Sequence, residues 1–347
     1  MTACNKIRLS LGLLLGLSAC TIQVPSNESE PNARVDEVVF VGTSVTGALY
    51  TTGEVGFTTV PKDAKDEAVL SSSLKVEITI TNPPSVAVEV AGTECTAPSE
   101  GKRSIAVGVI IDDSGSMRSS DPQFLRREAT KTFLGTLGPE DKVLLTDYGA
   151  GGSPLRDLVC ESNGGGAPCR TPAATGFTTD RAALVKATEK LVSSGGTPLY
   201  ASCEQMVPLV DSIKDQRRGI LLLSDGQPTD RAKRDACHAA AKAAQIPVFT
   251  VGLGPAAEGD AKVEPEAVKV LRELSTETQG SYASANNPAE LDRLFANMGT
   301  ALARGSCKTN ARIVDAVNKL PKGSKVTGEI KIGSNGAKAD FEFVTPK

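Results

Sequence analysis

Short apolar segments alternate with longer segments of helical character between residues 104 and 303, and this alternation limits the possible folds more than any other feature. Apolar strands are predicted at residues 104–111, 142–148, 219–223, 247–251 and 281–283, with a strand at 155–159 as an antiparallel neighbour of 142–148. Helices are predicted at residues 121–137, 179–192, 199–213, 230–245, 265–274 and 289–303, the first of them capped by Asp121-Pro122. This order predicts an α/β fold with a doubly wound, mostly parallel sheet covered by helices on both faces.

Two β-rich regions flank the α/β segment. Residues 74–80 and 86–90 alternate apolar and polar side chains, and 325–332 and 338–344 enclose a Gly-rich turn that predicts a hairpin. Each flank is small for a sheet of its own, so we expect the two to pair into a sandwich-like region with the α/β domain inserted between them. Two unrelated additions are the alternative. The expected boundaries are 36–95 for the first β region, 96–306 for the α/β domain and 307–347 for the C-terminal hairpin region.

The first twenty residues have the pattern of an export signal. Lys6 and Arg8 precede an apolar run at 9–17, which is too short to span a membrane as a stable anchor. The segment LSAC at 17–20 resembles the lipobox of bacterial lipoproteins, which implies a signal peptide at 1–19 and lipid chains on Cys20. An ordinary secretory signal peptide is the alternative.

The same resemblance implies a location for the mature chain. Thr21 stands where Asp would indicate retention in the inner membrane, so an outer-membrane address in a two-membrane bacterium is expected, on its periplasmic or its surface face. Residues 20–35 are polar and are expected to be a flexible tether between the lipid and the folded part.

Charge and composition exclude several classes of function. The chain has 38 Lys and Arg against 41 Asp and Glu, which leaves no basic excess for binding nucleic acid. The one histidine, His238, excludes zinc sites built from several histidines, and its alanine-rich surroundings predict a position on a helix surface. No Gly-x-Ser-x-Gly motif and no nucleophile–base pair stand out, so we do not expect an enzyme.

Three segments at predicted strand ends or helix starts carry side-chain oxygens. Asp112, Ser114 and Ser116 form an Asp-x-Ser-x-Ser pattern after the first apolar strand. Thr197 lies in a Gly-rich loop before a helix, and Asp225 follows the strand at 219–223. Each residue alone is as typical of a helix cap or a turn. Together, at the carboxyl ends of strands, these hard oxygens favour a site for Mg²⁺, Mn²⁺ or Ca²⁺.

The three motifs, in this order, resemble the metal-ion-dependent adhesion site of the von Willebrand factor A family over about residues 102–304. The resemblance implies a divalent cation, Mg²⁺ first, and a protein ligand whose Asp or Glu completes the coordination shell. The implied ligand residues are Asp112, Ser114, Ser116, Thr197 and Asp225. Asp113 is expected to face away from the cation or to support the site indirectly, and Asp147 has no assigned role.

The function that follows is adhesion or protein–protein interaction by an envelope or surface protein that touches the membrane through its lipid anchor only. One alternative is a structural or assembly component of an envelope complex with a permanent metal site. A hydrolase is the other.

Six cysteines remain once residue 4 leaves with the leader and Cys20 carries lipid, and an even number in an exported chain predicts disulfides. The predicted pairs are Cys95 with Cys307, Cys160 with Cys169, and Cys203 with Cys237. The first pair brackets the α/β domain, whose ends should lie close together, and the second encloses a Gly-rich loop. The third is what remains, and it requires two predicted helices to be neighbours. Metal binding by these thiols is the alternative.

Overall fold

The computed structural model describes residues 33–96, 104–149, 153–257, 265–285 and 288–346, so the leader and Cys20 lie outside the described residues. Its strands are β1 (Glu37–Val45), β2 (Glu54–Lys62), β3 (Val76–Asn82), β4 (Val88–Thr96), β5 (Ile105–Asp112), β6 (Lys142–Tyr148), β7 (Arg156–Asp157), β8 (Arg217–Ser224), β9 (Val248–Gly252), β10 (Tyr282–Ser284), β11 (Ser306–Ile313), β12 (Lys325–Ile332) and β13 (Ala337–Val344). Its helices are α1 (Met117–Ser120), α2 (Leu125–Gly135), α3 (Leu158–Ser162), α4 (Arg181–Ala187), α5 (Leu199–Asp211), α6 (Arg234–Ala244), α7 (Pro265–Glu277), α8 (Pro288–Arg304) and α9 (Ala316–Lys319).

Five parallel strands form the centre of a ten-stranded sheet, in the order β10-β9-β8-β5-β6. All eight residues of β5 are buried, as expected for a strand covered on both faces. The chain runs from β5 to β6 on one side and returns to β8 on the other, so the strand order reverses at β5. The predicted fold class, a mostly parallel central sheet with a smaller β region, is confirmed.

Successive strand residues point to opposite sides, so the mostly apolar parallel strands have two apolar faces to bury. Helices cover both of these faces. On one face, Ile111 belongs to a core that includes Phe133 of α2 and Phe295 of α8. On the other face, Ile110 packs in a second core with Met206 of α5 and with side chains of α6 and α7. The parallel strands therefore form the middle layer of a three-layer arrangement.

The strands of the two flanks are interleaved. β1, β2, β11 and β4 continue the large sheet in antiparallel fashion beyond β10, and β3, β12 and β13 form a separate three-stranded sheet. A third core lies between this small sheet and the antiparallel extension, where the rings of Phe57 and Phe341 are 4.8 Å apart. The strands 74–80 and 86–90, which are neighbours in sequence, therefore belong to different sheets.

Several predicted elements are wrong at their boundaries. The helices predicted at 179–192 and 230–245 are shorter, spanning Arg181–Ala187 and Arg234–Ala244. In two further elements the difference arises because an aspartate bonds to backbone N–H groups. The helix predicted from residue 121 begins at Leu125, since the Asp121 carboxylate accepts from the backbone N–H of Leu125 (2.6 Å) across the intervening turn. The strand predicted at 155–159 is reduced to two residues. Asp157 caps α3 by accepting from the Cys160 N–H at 3.0 Å, and the chain turns into a helix there.

The prediction that His238 lies on a helix surface is wrong. The residue is 4% exposed, and its Nδ1 lies 3.1 Å from Oε2 of Glu277 on α7. Its ring also packs edge-on against Tyr200 of α5. The helix α6 is buried against both α5 and α7, so an alanine-rich sequence does not distinguish its inner from its outer face.

Three disulfides are present, with the pairing expected from the sequence. Cys95 and Cys307 lie opposite each other on β4 and β11. Cys203 and Cys237 join α5 to α6, and Cys160 and Cys169 close the Gly-rich loop after α3. Over the described ranges, no helix is both long and apolar enough to cross a lipid bilayer.

We predict that the Cys95→Ser/Cys307→Ser double variant loses about 2–5 kcal/mol of unfolding free energy, because its disulfide closes a segment with a sequence separation of 212. The matched control is Cys160→Ser/Cys169→Ser, whose separation is 9 and whose loss should be smaller. Urea unfolding of both variants measures the difference. An equal or larger loss in the control would contradict the prediction.

Candidate metal site

The two aspartates of the candidate site lie at the ends of neighbouring parallel strands. β5 pairs with β8 so that Ile111 is opposite Leu223; β5 ends at Asp112, and Asp225 directly follows β8. Both side chains are fully buried. Because the strand order reverses at β5, these ends border the crevice where ligands bind in doubly wound sheets.

Asp112 is held by hydrogen bonds from three directions. Its Oδ1 accepts from the backbone N–H of Ser114 at 2.9 Å. Its Oδ2 accepts from Oγ of Ser224, the last residue of β8, at 2.7 Å, and lies 3.0 Å from the hydroxyl of Tyr148 at the end of β6. The carboxylate is thereby fixed relative to three adjacent strands.

The serines and Asp225 form the other side of the site. The hydroxyls of Ser114 and Ser116 are 2.9 Å apart, and Ser120 of α1 donates to Oδ2 of Asp225 at 3.2 Å. Within the described ranges, Oδ1 of Asp225 is buried without a hydrogen-bond partner. A buried carboxylate oxygen without a partner is unfavourable unless a cation or a donor occupies the space before it.

The electrostatics point in the same direction. Burial, followed by the charge of Asp225, raises the pKa of Asp112 to about 6. Burial likewise raises the pKa of Asp225. Two ionised carboxylates at this edge therefore carry a free-energy cost that a bound cation would remove.

Thr197 belongs to a loop that is bound to the Asp-x-Ser-x-Ser loop through backbone atoms. The N–H of Gly115 donates to the carbonyl of Gly195 at 3.0 Å, and the N–H of Ser194 donates to the carbonyl of Asp113 at 2.6 Å. Thr197 itself is 5% exposed, and its carbonyl accepts from the N–H of Thr229 in the segment after β8. The structure therefore brings all three predicted segments to one edge of the sheet.

The residues present fit a hard divalent cation. The donors offered are carboxylate and hydroxyl oxygens, with no nitrogen or sulfur among them. Among the residues that the structure describes, no group of three or more His, Cys, Asp and Glu side chains could hold a metal ion. A cation here would therefore need the hydroxyl oxygens of Ser114, Ser116 and Thr197 as ligands in addition to the carboxylates of Asp112 and Asp225.

Asp113, the neighbour of Asp112, points into a buried ion-pair network behind the site. Its Oδ1 accepts from Nη2 of Arg126 at 2.8 Å and from the backbone N–H of Ser193 at 2.8 Å. Arg126 is fully buried on α2 and also donates to Asp121 at 2.7 Å. This network joins the Asp-x-Ser-x-Ser loop, α2 and the loop that precedes Thr197.

Asp147 takes part in a second buried pair on β6. Arg156 of β7 donates to both of its carboxylate oxygens, from Nε at 3.0 Å and from Nη2. Burial raises the pKa of Asp147 to about 7, although Arg156 acts in the opposite direction. Nη2 of Arg156 also lies 3.7 Å from Asp113, so the two pairs are in electrostatic contact.

Sequence reasoning missed four residues that support the site. Ser224 and Tyr148 end two of the strands that flank Asp112, and their polar side chains at the ends of apolar strands were a usable signal. Ser120 and Arg126 reach the site region from the segment after Ser116 and from α2, and no spacing rule reveals either.

Known proteins resemble this chain in structure and not in sequence. No protein-family model matches it, and no curated protein matches it in sequence. A von Willebrand factor type A protein from Catenulispora acidiphila is 14% identical with a TM-score of 0.47, over 90% of this chain and 74% of that one. The von Willebrand factor domain of the type V pili tip protein Mfa5 from Porphyromonas gingivalis is 14% identical with a TM-score of 0.41, over 58% and 95%. Proximal thread matrix protein 1 from the mussel byssus, with a zinc-occupied MIDAS motif, is 15% identical with a TM-score of 0.42, over 63% and 50%.

We predict that Gly195→Ala destabilises the packing of the loop before Thr197 against the segment that follows β6. Gly195 has φ +86°, which costs about 1–3 kcal/mol for an alanine, and a Cβ there would lie 1.8 Å from the carbonyl oxygen of Gly149. Thermal unfolding should show the loss. Gly164→Ala is the control, since Gly164 has φ +80° and no atom lies within 4 Å of its Cβ position. This variant should lose only the stability that the positive φ costs an alanine.

We predict that Arg126→Met lowers the unfolding free energy by about 3–5 kcal/mol, because it removes the guanidinium that hydrogen-bonds the buried carboxylates of Asp113 and Asp121 and leaves Asp113 only the more distant Arg156. Adding Asp113→Asn and Asp121→Asn to the same chain should recover part of the loss, since the uncompensated charges are then gone. Urea unfolding at neutral pH compares the two. No recovery in the triple variant would show that packing, rather than charge, makes Arg126 necessary.

Proposed function

We propose that this chain is a lipid-anchored envelope or surface protein whose α/β domain binds a protein ligand in a divalent-cation-dependent way. The residues proposed to hold the cation are Asp112, Ser114, Ser116, Thr197 and Asp225. When bound, the cation supplies an open coordination position that an Asp or Glu of the partner can occupy. Mg²⁺ is the first candidate, with Mn²⁺ and Ca²⁺ as alternatives.

One observation carries the proposal: among the residues that the structure describes, none is a hydrogen-bond partner of Oδ1 of Asp225. It is buried beside the carboxylate of Asp112, which accepts from Ser224, while the hydroxyl of Ser120 donates to the other oxygen of Asp225. Two carboxylates and neutral hydroxyls just balance a divalent ion, so such an ion would still attract a further carboxylate. The exposed side chain of Ser116 lies at the solvent side of the site, where a partner can approach.

The anchoring part of the proposal depends on Cys20 and the segment before it, which lie outside the described residues. Lipid on Cys20 would hold the folded part at the membrane through the tether at 20–35. Labelling of the expressed full chain with a radioactive or clickable fatty acid tests this, and Cys20→Ser should abolish the label while an exported chain persists.

We predict that Mg²⁺ and Mn²⁺ bind the folded chain and that Asp112→Ala weakens this binding by about tenfold or more. Calorimetric titration measures the affinity, and the paramagnetic resonance spectrum of Mn²⁺ reports its binding independently. Asp180→Ala is the matched control, because this exposed aspartate only caps α4 and should leave metal affinity unchanged. Equal metal binding by wild type and Asp112→Ala would overturn the metal site.

The partner is tested by capture from the membrane and surface fraction of the source cells. Capture should require Mg²⁺ and Asp112, and it should stop when the carboxylates of the captured protein are blocked as amides. Capture that persists in EDTA would overturn the cation-dependent mechanism while leaving a protein–protein role in place.

A further inference from the structure

A groove of about 850 Å³ lies between α8 and the small sheet, away from the five residues of the candidate metal site. Its floor is the first part of β1 together with β10. One wall is a face of α8 that includes Arg293 and Asn297, and the other is formed by β3, β12 and β13. The groove therefore follows one edge of strand β1.

Among the described strands, only β10 pairs with this edge of β1. β1 is paired along its whole length with β2 on its other side, yet it meets β10 only where Thr43 is opposite Tyr282. From Glu37 to Phe40, no residue of a described strand pairs with the groove side of β1.

The orientation of the backbone follows from the residue opposite Val38. That residue is Pro61, which has no N–H to donate, and its carbonyl accepts from the N–H of Val69 on the side away from β1. The pair Val38–Pro61 is therefore a non-hydrogen-bonded pair of the antiparallel ladder, in which the N–H and C=O of Val38 point away from β2. Phe40 has the same orientation, and its carbonyl accepts from Nδ2 of Asn297 at 2.8 Å in the groove.

The walls of the groove add polar and acidic groups. Thr79, Thr81 and Thr327 contribute hydroxyls from the small sheet. Among the described residues, five carboxylates and two cationic side chains line the groove, and Glu37, Glu329 and Glu342 pair with lysines. Asp340 is exposed on β13 and belongs to none of these three pairs. An occupant with basic side chains complements this lining.

We propose that the groove binds an extended segment of a partner polypeptide that carries Lys or Arg and adds to the free edge of β1 as a further strand. The N–H and C=O of Val38 and the N–H of Phe40 supply the main-chain hydrogen bonds, and the acidic lining selects for basic side chains. This binding does not involve the candidate cation, so it should be the same in Mg²⁺ and in EDTA. Its failure is therefore distinguishable from failure of the metal site.

The probe is a phage-displayed library of short random peptides, selected on the full chain in EDTA. Selected peptides should carry more Lys and Arg than Asp and Glu. Hydrogen exchange of the complex should show slowed exchange at the amides of Val38 and Phe40. The amide of Val39 faces β2 and should change little.

Two substitutions at position 38 distinguish the contribution of the backbone N–H to peptide affinity from that of the side chain. Val38→Pro removes the N–H that points into the groove and leaves the ladder to β2 intact, whereas Val38→Ala trims the same side chain and keeps the N–H. Peptide affinity should fall by about tenfold or more in the first and stay near wild type in the second. Asp340→Lys should lower the affinity for basic peptides several-fold, and the affinity of Asp340→Asn should lie between those of Asp340→Lys and wild type.

Several results would overturn the proposal. Selection that yields no peptide, or equal affinity in Val38→Pro and Val38→Ala with both variants folded by circular dichroism, would do so. Protection confined to residues outside the groove would also do so. Glycans from an array that bind here and compete with the selected peptides would replace the peptide by a carbohydrate as the ligand.

Discussion

The burial of two carboxylates at adjacent strand ends is the constraint on which the candidate site depends. A buried carboxylate is tolerated only where hydrogen-bond donors or a cation compensate the loss of water. Asp112 receives such donors from the backbone of its own loop and from Ser224. The hydroxyl of Ser120 donates to Oδ2 of Asp225, and no residue in the described part of the chain is a hydrogen-bond partner of its Oδ1. The fold thus compensates Asp112 more fully than Asp225, and this difference is the basis for proposing a cation beside Asp225.

The same local sequence also holds the site in place. Asp112 and Asp113 are consecutive, so their side chains leave the strand end in different directions. One enters the candidate site, and the other enters the network with Arg126 behind it. Because Asp113 also accepts from the backbone of the loop before Thr197, the two loops that would share a cation are joined by a buried charge. A buried charged network of this kind fixes the positions of the loops more than it stabilises the fold, because the cost of desolvating the charges offsets much of their attraction.

Features that depend on the local sequence pattern were predicted correctly. Features that depend on contacts between residues far apart in the sequence were not. Unbroken apolar runs identified β5 and β8, and the rule that ligands lie past strand ends correctly predicted that Asp112 and Asp225 share one edge of the sheet. The start of α2 and the end of β7 were wrong, because single aspartates bind backbone N–H groups that no periodicity reports. The burial of His238 and the insertion of β11 between β2 and β4 depend on partners far away in the sequence, which a pattern of apolar residues does not specify.

The strand edges of the large sheet are protected in different ways, and this comparison sets β1 apart. An unpaired edge invites association with other chains, and proteins limit it by short strands or by charge. At one end of the sheet, β7 has only two residues. At the other, β4 is joined to its neighbour by Cys95 and carries Glu89 and Glu94. The open edge of β1 lies inside a groove, where only a segment narrow enough to pass between α8 and the small sheet can reach it. An edge in this position is shielded from indiscriminate sheet-to-sheet association, which is why the proposed ligand is a single extended chain.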